Sequence, residues 1–294
     1  MTRLVTTLTS LACLATSAYD TISDTFTMAA TYCEPDSGPG KALQILTHGV
    51  GFDRTYWDFG FHDYNYSYVE AALDENYSTF AYDRLGVGQS SAPSDEPIAE
   101  IQPWLEIESL YNLTVQLREA VLPGVSARYD KVFHVGHSFG SRLTYNLAAK
   151  YPEGVSDGLA LTGFSHVSLL NVNGTPLGLV GPYFPMGANF INARALAQFD
   201  GFPDGYVAFS NERALHNDFF APGNFDPAIL GPAFDATQPM TVGELLTLNN
   251  PANCFFSNTT IKVKIIDKAA HGINFEYTAG EFYAEVLNFL NANV

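Results

Sequence analysis

The chain has 294 residues, nearly half of them apolar and only 15% charged, with 31 Asp and Glu against 14 Lys and Arg for a net charge of −17. That is a globular composition with enough material for one large α/β domain or two small ones. The acidic balance repels phosphate backbones and anionic lipid, which excludes nucleic-acid binding and membrane-surface electrostatics, and its simplest meaning is solubility.

The first residues, "MTRLVTTLTSLACLATSAYD", place one Arg before an apolar stretch that ends in small residues at Ala15 to Ala18. This pattern predicts a secretory signal over residues 1–18 and an extracellular protein; the alternative is a first core strand or helix. No other stretch is long enough to span a membrane. Four Asn-x-Ser/Thr sequons, at Asn65, Asn76, Asn112 and Asn258, fit export as glycosylation candidates. Of three cysteines, Cys13 would leave with the signal, so Cys33 and Cys254 remain as a candidate disulfide or as two buried thiols. No Cys or His cluster has ligand spacing, so neither metal nor cofactor is expected.

After the signal, "DTFTMAATYCEP" reads as a strand and "ALQILTHG" as a short apolar strand ending in His-Gly. "STFAYDRLGVGQSS" repeats the scheme, a strand followed by a Gly-rich loop. Apolar residues at Ile107, Leu110, Leu113, Leu117 and Ala120 keep helical spacing. A strand follows at Val132 to Val135, then a helix from about Ser141 to Lys150, and "DGLALTGFSH" is another buried strand. Such alternation points to a mostly parallel sheet covered on both faces. From about Val167 to Asn249, Gly, Pro, Phe and Asn become dense, and helical pieces such as "NARALAQF" appear without clear strands between them. This reads as a cap, 167–249, inserted between a first core part, 19–166, and a last core part, 250–294. In the latter "TTIKVKIID" resumes a strand and "AGEFYAEVLNFLNANV" closes with an amphipathic helix.

Between the strand at 132–135 and the helix after it stands Gly136-His137-Ser138-Phe139-Gly140. A sharp strand-to-helix turn thrusts the serine out at the sheet's end, and glycines are needed where a side chain would strike neighbouring backbone. Ser138 is the candidate nucleophile. His271, in "AAHGINF" between the last strand and last helix, is the candidate base. His134 reads as a core residue, His137 as a flank of the nucleophile, and His62, His166 and His216 as surface or pocket residues. His48 in "LTHGVGF" shapes a loop whose backbone lies beside the nucleophile. The backbone amides of Val50 and Phe139 are the candidate oxyanion hole.

His48-Gly49, "YDRLGVGQS", "GHSFGS" and "AAHGINF", in that order, resemble an α/β-hydrolase, and more narrowly the secreted fungal serine hydrolases whose early block reads much like "HGVGFDRTYWDF". The resemblance implies esterase, lipase or lactonase-like acyl transfer, with a cap helping to choose the substrate and Asp83 and Arg84 structural; the aromatic-rich cap itself points to a small apolar or aromatic ester. The resemblance also implies a carboxylate after a penultimate strand, and that segment is not found. In one reading "QPMTVGELLTL" is its degraded form and Glu244 the acid. In the other it is a cap helix, with Thr241 capping and the missing strand deleted near "NNPANCFFSN". Asp267, four residues before His271, ranks below Glu244. The missing acid leaves open an impaired hydrolase fold that binds a ligand or partner, and the serine itself leaves open an amide hydrolase or cofactor-free haloperoxidase on the same fold.

Overall fold

The computed structural model describes residues 2–16, 21–91, 96–119, 122–125, 127–164, 189–247 and 259–294, with side chains from Thr25 as far as Glu244 and again from Thr259. The chain opens with β1 (Thr2–Thr16), β2 (Thr21–Glu34) and β3 (Leu43–Thr47). A two-residue ribbon, β4 (Asp58–Phe59) with β5 (Tyr66–Ser67), leads into helix α1 (Tyr68–Asp74), which Ser67 caps by accepting the Glu70 N–H at 3.0 Å. Strand β6 (Ser78–Tyr82), helices α2 (Pro97–Glu100) and α3 (Pro103–Arg118), strand β7 (Val132–His137), helix α4 (Phe139–Lys150) and strand β8 (Gly158–Thr162) follow.

The main sheet runs β1-β2-β6-β3-β7-β8. Strands β6, β3, β7 and β8 are mutually parallel, while β1 and β2 join antiparallel. Side chains alternate between two apolar layers, as a sheet covered on both faces requires. Leu43 and Ile45 of β3, with Phe80 of β6, pack with Leu110, Leu113 and Leu117 of α3 and Leu143 of α4. Leu46, Ala81, Phe133 and Val135 face the opposite layer, with Val69 and Ala72 of α1. The mostly parallel, helix-covered sheet expected from the alternating pattern is therefore present.

Residues 2–16, read as a leader or as a first core strand or helix, lie in an edge strand paired with β2 from Thr2↔Glu34 to Thr16↔Thr21. Two expectations change. The intervening segment does hold strands, β9 (Phe190–Asn192), β10 (Tyr206–Phe209) and β11 (Met240–Thr241), in a separate antiparallel sheet. "NARALAQF" forms two 3-10 turns, not a helix. Strands of two to four residues are too short for alternation to reveal. Helices α5 (Glu212–Phe219), α6 (Leu230–Asp235) and α7 (Val242–Thr247) complete this segment.

The second change concerns "TTIKVKIID". Among the described residues the sheet ends at β8, and residues 259–266 pair with no strand. Lys262 and Lys264 reach Glu285 on helix α8 (Ala279–Asn291) at 2.8 and 2.9 Å. Ile261, Val263 and Ile265 are 61%, 84% and 85% exposed, so the alternation is intact but its apolar side covers nothing. The pattern of a strand was legible; the partner that would make it one is missing among the described residues. Of the glycosylation candidates, Asn65 and Asn76 are exposed. Asn112 is half-buried on α3, its amide donating to Glu108 O at 2.8 Å, a poor acceptor site. Asn258 and Cys254 lie outside the described residues, and Cys33 is buried on β2.

Helix α4 crosses β3 so closely that a Cβ on Gly140 would sit 2.6 Å from His48 O. Backbone on both sides leaves no room to relax. Gly140→Ala is expected to cost about 3 kcal/mol or more, beyond ordinary overpacking, read as a lowered urea midpoint at unchanged m.

Candidate active site

Strand β7 ends at His137 and α4 begins at Phe139, leaving Ser138 in the turn between them with φ 55° and ψ −117°. A serine in this region is strained, and the strain lifts its hydroxyl clear at the carboxyl edge of the sheet. Ser138 donates its N–H to Thr162 O at 2.8 Å, and Ser141 Oγ donates to the same carbonyl at 2.8 Å. Gly136 is required by the same bend, since a Cβ there would lie 2.6 Å from Gly140 O.

The loop after β3 passes the other side of the serine. A Cβ on Gly49 would lie 2.9 Å from Ser138 Cβ, so glycine lets the backbone approach. Val50 follows at once, and among the described residues no hydrogen bond consumes the N–H of Val50 or of Phe139. His48 fixes this loop: its ring bonds to Gly49 O at 2.8 Å and accepts the Arg84 N–H at 3.0 Å. Nδ1 therefore carries the proton, and burial, with Arg84 nearby, holds the ring neutral.

His271 comes from the loop before α8, 133 residues away in the chain, and its Nε2 meets Ser138 Oγ at 2.7 Å. The rings of Phe219 and His137 lie 5.1 and 5.0 Å from it. Burial pushes His271 down to about 4, with the Arg142 guanidinium adding to the effect, so the ring is neutral at neutral pH and free to accept a proton. Its Nδ1 side is turned toward Gly163 at the end of β8, where a Cβ would lie 3.1 Å away. Among the described residues no carboxylate bonds to Nδ1.

Glu244 is placed elsewhere. Its carboxylate pairs with Arg84 and accepts the Thr241 N–H at 2.6 Å, while Thr241 Oγ1 accepts the Glu244 N–H at 3.1 Å. This is a capping box at the start of α7, so of the two sequence readings the helix is the one observed, and Glu244 is not brought to His271. Arg84 also pairs with Glu106 of α3 and lies 4.7 Å from the Phe139 ring centroid. Asp267 is exposed in a turn.

The remaining histidines divide plainly. His137 stacks on Tyr56 at 4.6 Å and bonds through Nδ1 to Thr162 Oγ1 at 3.0 Å. His134 bonds to Thr114 and Ser156 in the core, and burial pushes it down to about 3. His62 pairs with Asp226 at 2.9 Å, and His216 lies on α5 beside Phe220 and Phe225. His166 falls outside the described residues. Phe52, Phe209 and Phe219 pack as a buried aromatic cluster beside the histidine loop, with Phe219 5.2 Å from Phe52 and 5.6 Å from Phe209. Sequence reading missed Phe219, Asn224 and Glu276, which surround the histidine loop. Only the closeness of Glu276 to His271 in the chain could have drawn attention to one of them.

A model of the alpha/beta hydrolase family matches residues 44–257, well over half of the chain. The curated relatives include the 1-acylglycerol-3-phosphate O-acyltransferase ABHD5 of Rattus norvegicus, 29% identical over 116 residues, 40% of this chain. The match spans only 28% of that relative's length. Solved structures that align with part of the chain include an epoxide hydrolase from Vigna radiata, 18% identical with a TM-score of 0.37, covering 53% of this chain and 37% of that one. A carboxyl esterase from Bacillus coagulans is 20% identical with a TM-score of 0.39, covering 56% and 45%.

A proton titration of the imidazoles by NMR checks the site's electrostatics. His271 is expected to titrate near 4 and His134 near 3, both still neutral at about pH 5.5, where a solvated histidine is mostly charged. A His271 midpoint near 6.5 would contradict its enclosure.

Proposed function

This chain belongs to the alpha/beta hydrolase family, and we propose that it is a serine hydrolase cleaving a carboxylic ester or lactone through a covalent acyl-enzyme. The observation that carries the reading is the 2.7 Å contact between Ser138 Oγ and His271 Nε2 at a strained strand-to-helix turn. His271 takes the hydroxyl proton as Ser138 attacks the acyl carbon, and returns it to the departing alcohol. The N–H groups of Val50 and Phe139 receive the oxyanion. Water then attacks the acyl-enzyme with His271 again as base. The aromatic cluster of Phe52, Phe209 and Phe219, contributed partly by residues 189–247 acting as a cap, favours an apolar or aromatic acyl group. An epoxide-hydrolase reading would need a carboxylate where Ser138 stands.

A second reading has its own support. With no described carboxylate on Nδ1, proton transfer is slowed; loss of a triad acid lowers turnover by about 10⁴-fold. An impaired hydrolase fold that binds its ligand without turning it over would keep the same cluster and turn. An amide hydrolase or cofactor-free haloperoxidase would use the same serine. Labelling by a fluorophosphonate separates these readings. Label at Ser138, lost in Ser138→Ala and reduced at least about 10³-fold in rate in His271→Ala, together with release of nitrophenol from short-chain esters, supports the hydrolase. Ligand binding that survives Ser138→Ala, with no turnover in the unaltered protein, supports the binding protein.

Secretion belongs to the same proposal. Residues 1–18 carry a leader pattern, and β1 sits at the sheet's edge, where its removal leaves the order β2-β6-β3-β7-β8 uninterrupted. Protein expressed with its leader in a eukaryotic host is expected in the medium, beginning near residue 19 and carrying glycans at Asn65 or Asn76. Edman sequencing and a glycosidase mobility shift check this; retention in the cell with an intact first residue would count against it.

A further inference from the structure

Among the described residues no paired strand anchors the histidine loop to the main sheet. Residues 259–266 lead into it without a strand partner among the described residues, yet His271 sits at hydrogen-bond distance from Ser138. Its fastening comes from the turn that follows α5. Phe219 O accepts the Gly272 N–H at 2.6 Å, and Asn224 O accepts the Tyr277 N–H at 2.8 Å. The Asn224 amide nitrogen lies 3.1 Å from Lys268 O, 3.0 Å from Thr278 Oγ1 and 3.3 Å from Glu276 Oε2. Two protons are thus shared among three acceptors on both sides of His271.

Glu276 completes the clasp from within the loop. Its Oε1 accepts the Ala221 N–H at 2.7 Å and its Oε2 the Ala270 N–H at 2.9 Å, the residue just before His271. The side chain is fully buried, and among the described residues no Lys, Arg or His forms an ion pair with it. A buried carboxylate without a cation is costly, and here backbone N–H groups satisfy it. Nothing in the chemistry of Ser138 uses this carboxylate.

We infer that Asn224 and Glu276 are positioning residues, which hold His271 against Ser138 from the segment after α5. The inference rests on the proposed role of His271 as base. It makes the base depend on a segment outside the main sheet: displacement of the 219–224 turn carries His271 away from Ser138. A misplacement of about 1 Å is enough to lower turnover on the order of 100-fold.

Asn224→Ala and Glu276→Gln test it, the second because an amide group would face one of the backbone donors that the carboxylate now accepts. The readouts are the NMR midpoint of His271 and the steady-state constants on a nitrophenyl ester. Loosening the loop hydrates the ring, so its midpoint is expected to rise by at least about one unit toward 6.5. In parallel kcat falls about tenfold or more, with KM within about twofold. Asn291→Ala is the control: it removes bonds to Tyr77, Lys41 and Glu75 at the far end of α8 and should leave the His271 midpoint in place. If Asn224→Ala does not fold, Thr278→Val, which removes one acceptor, should move the midpoint in the same direction by less. An unchanged midpoint in the folded variants overturns the clasp. A shifted midpoint in a protein that never labels at Ser138 keeps the clasp and rejects the acyl-enzyme.

Discussion

A single contact, Ser138 Oγ to His271 Nε2, joins two side chains 133 residues apart, and each arrives by a different physical route. Ser138 is held by a central parallel strand on one side and a helix on the other, so the rigid sheet absorbs its strained backbone, worth about 1–3 kcal/mol. Among the described residues no strand supports the loop of His271. Its loop borrows rigidity from Phe219, Asn224 and Glu276, so the geometry of the base depends on residues outside the main sheet.

The carboxyl edge of the sheet is organised by a second network, built on Asp83 and Arg84. Asp83 pairs with Arg54 and accepts the N–H groups of Arg54 and Gln89 at 2.9 Å each. Arg84 is buried between Glu106 and Glu244. Two carboxylates around one guanidinium leave an excess negative charge in a dry place, and burial pushes Glu106 up to about 8 against the pull of Arg84. The network ties α3, α7 and the His48 loop together and places Arg84 against the ring of Phe139. The residues read from the sequence as structural thus brace the backbone beside the nucleophile.

Most of the main sheet was legible because its strands are short apolar runs ending in Gly-rich loops, and its helices keep their spacing over sixteen and twelve residues. Ser138 was legible because Gly136 and Gly140 are demanded by atoms a side chain would strike, and steric demands of this kind leave marks in sequence. His271 was found by position between the last apolar run and the last helix. Asn224 and Glu276 were not legible: an amide and a carboxylate bonding to backbone leave no spacing rule, and their partners are fixed only by the fold. Glu244 misled for a related reason. A carboxylate near the expected place in the chain looks alike whether it serves an imidazole, a guanidinium or a helix cap. The segment at 259–266 shows the converse, a clear strand pattern whose outcome depends on a neighbour that the pattern does not encode.

The enclosure of His271 has two opposed chemical consequences. A ring that titrates near 4 rather than 6.5 stays neutral into acid and is available as a base where a solvated histidine is already charged. The same shift means that the imidazolium formed on taking the serine proton is disfavoured by about 3 kcal/mol relative to water. A carboxylate on Nδ1 would offset that cost, and Gly163 stands on that side of the ring with no side chain to supply one. Among the described residues, what surrounds the Ser138 hydroxyl is therefore a strained turn, two adjacent amides and a neutral imidazole in line with it.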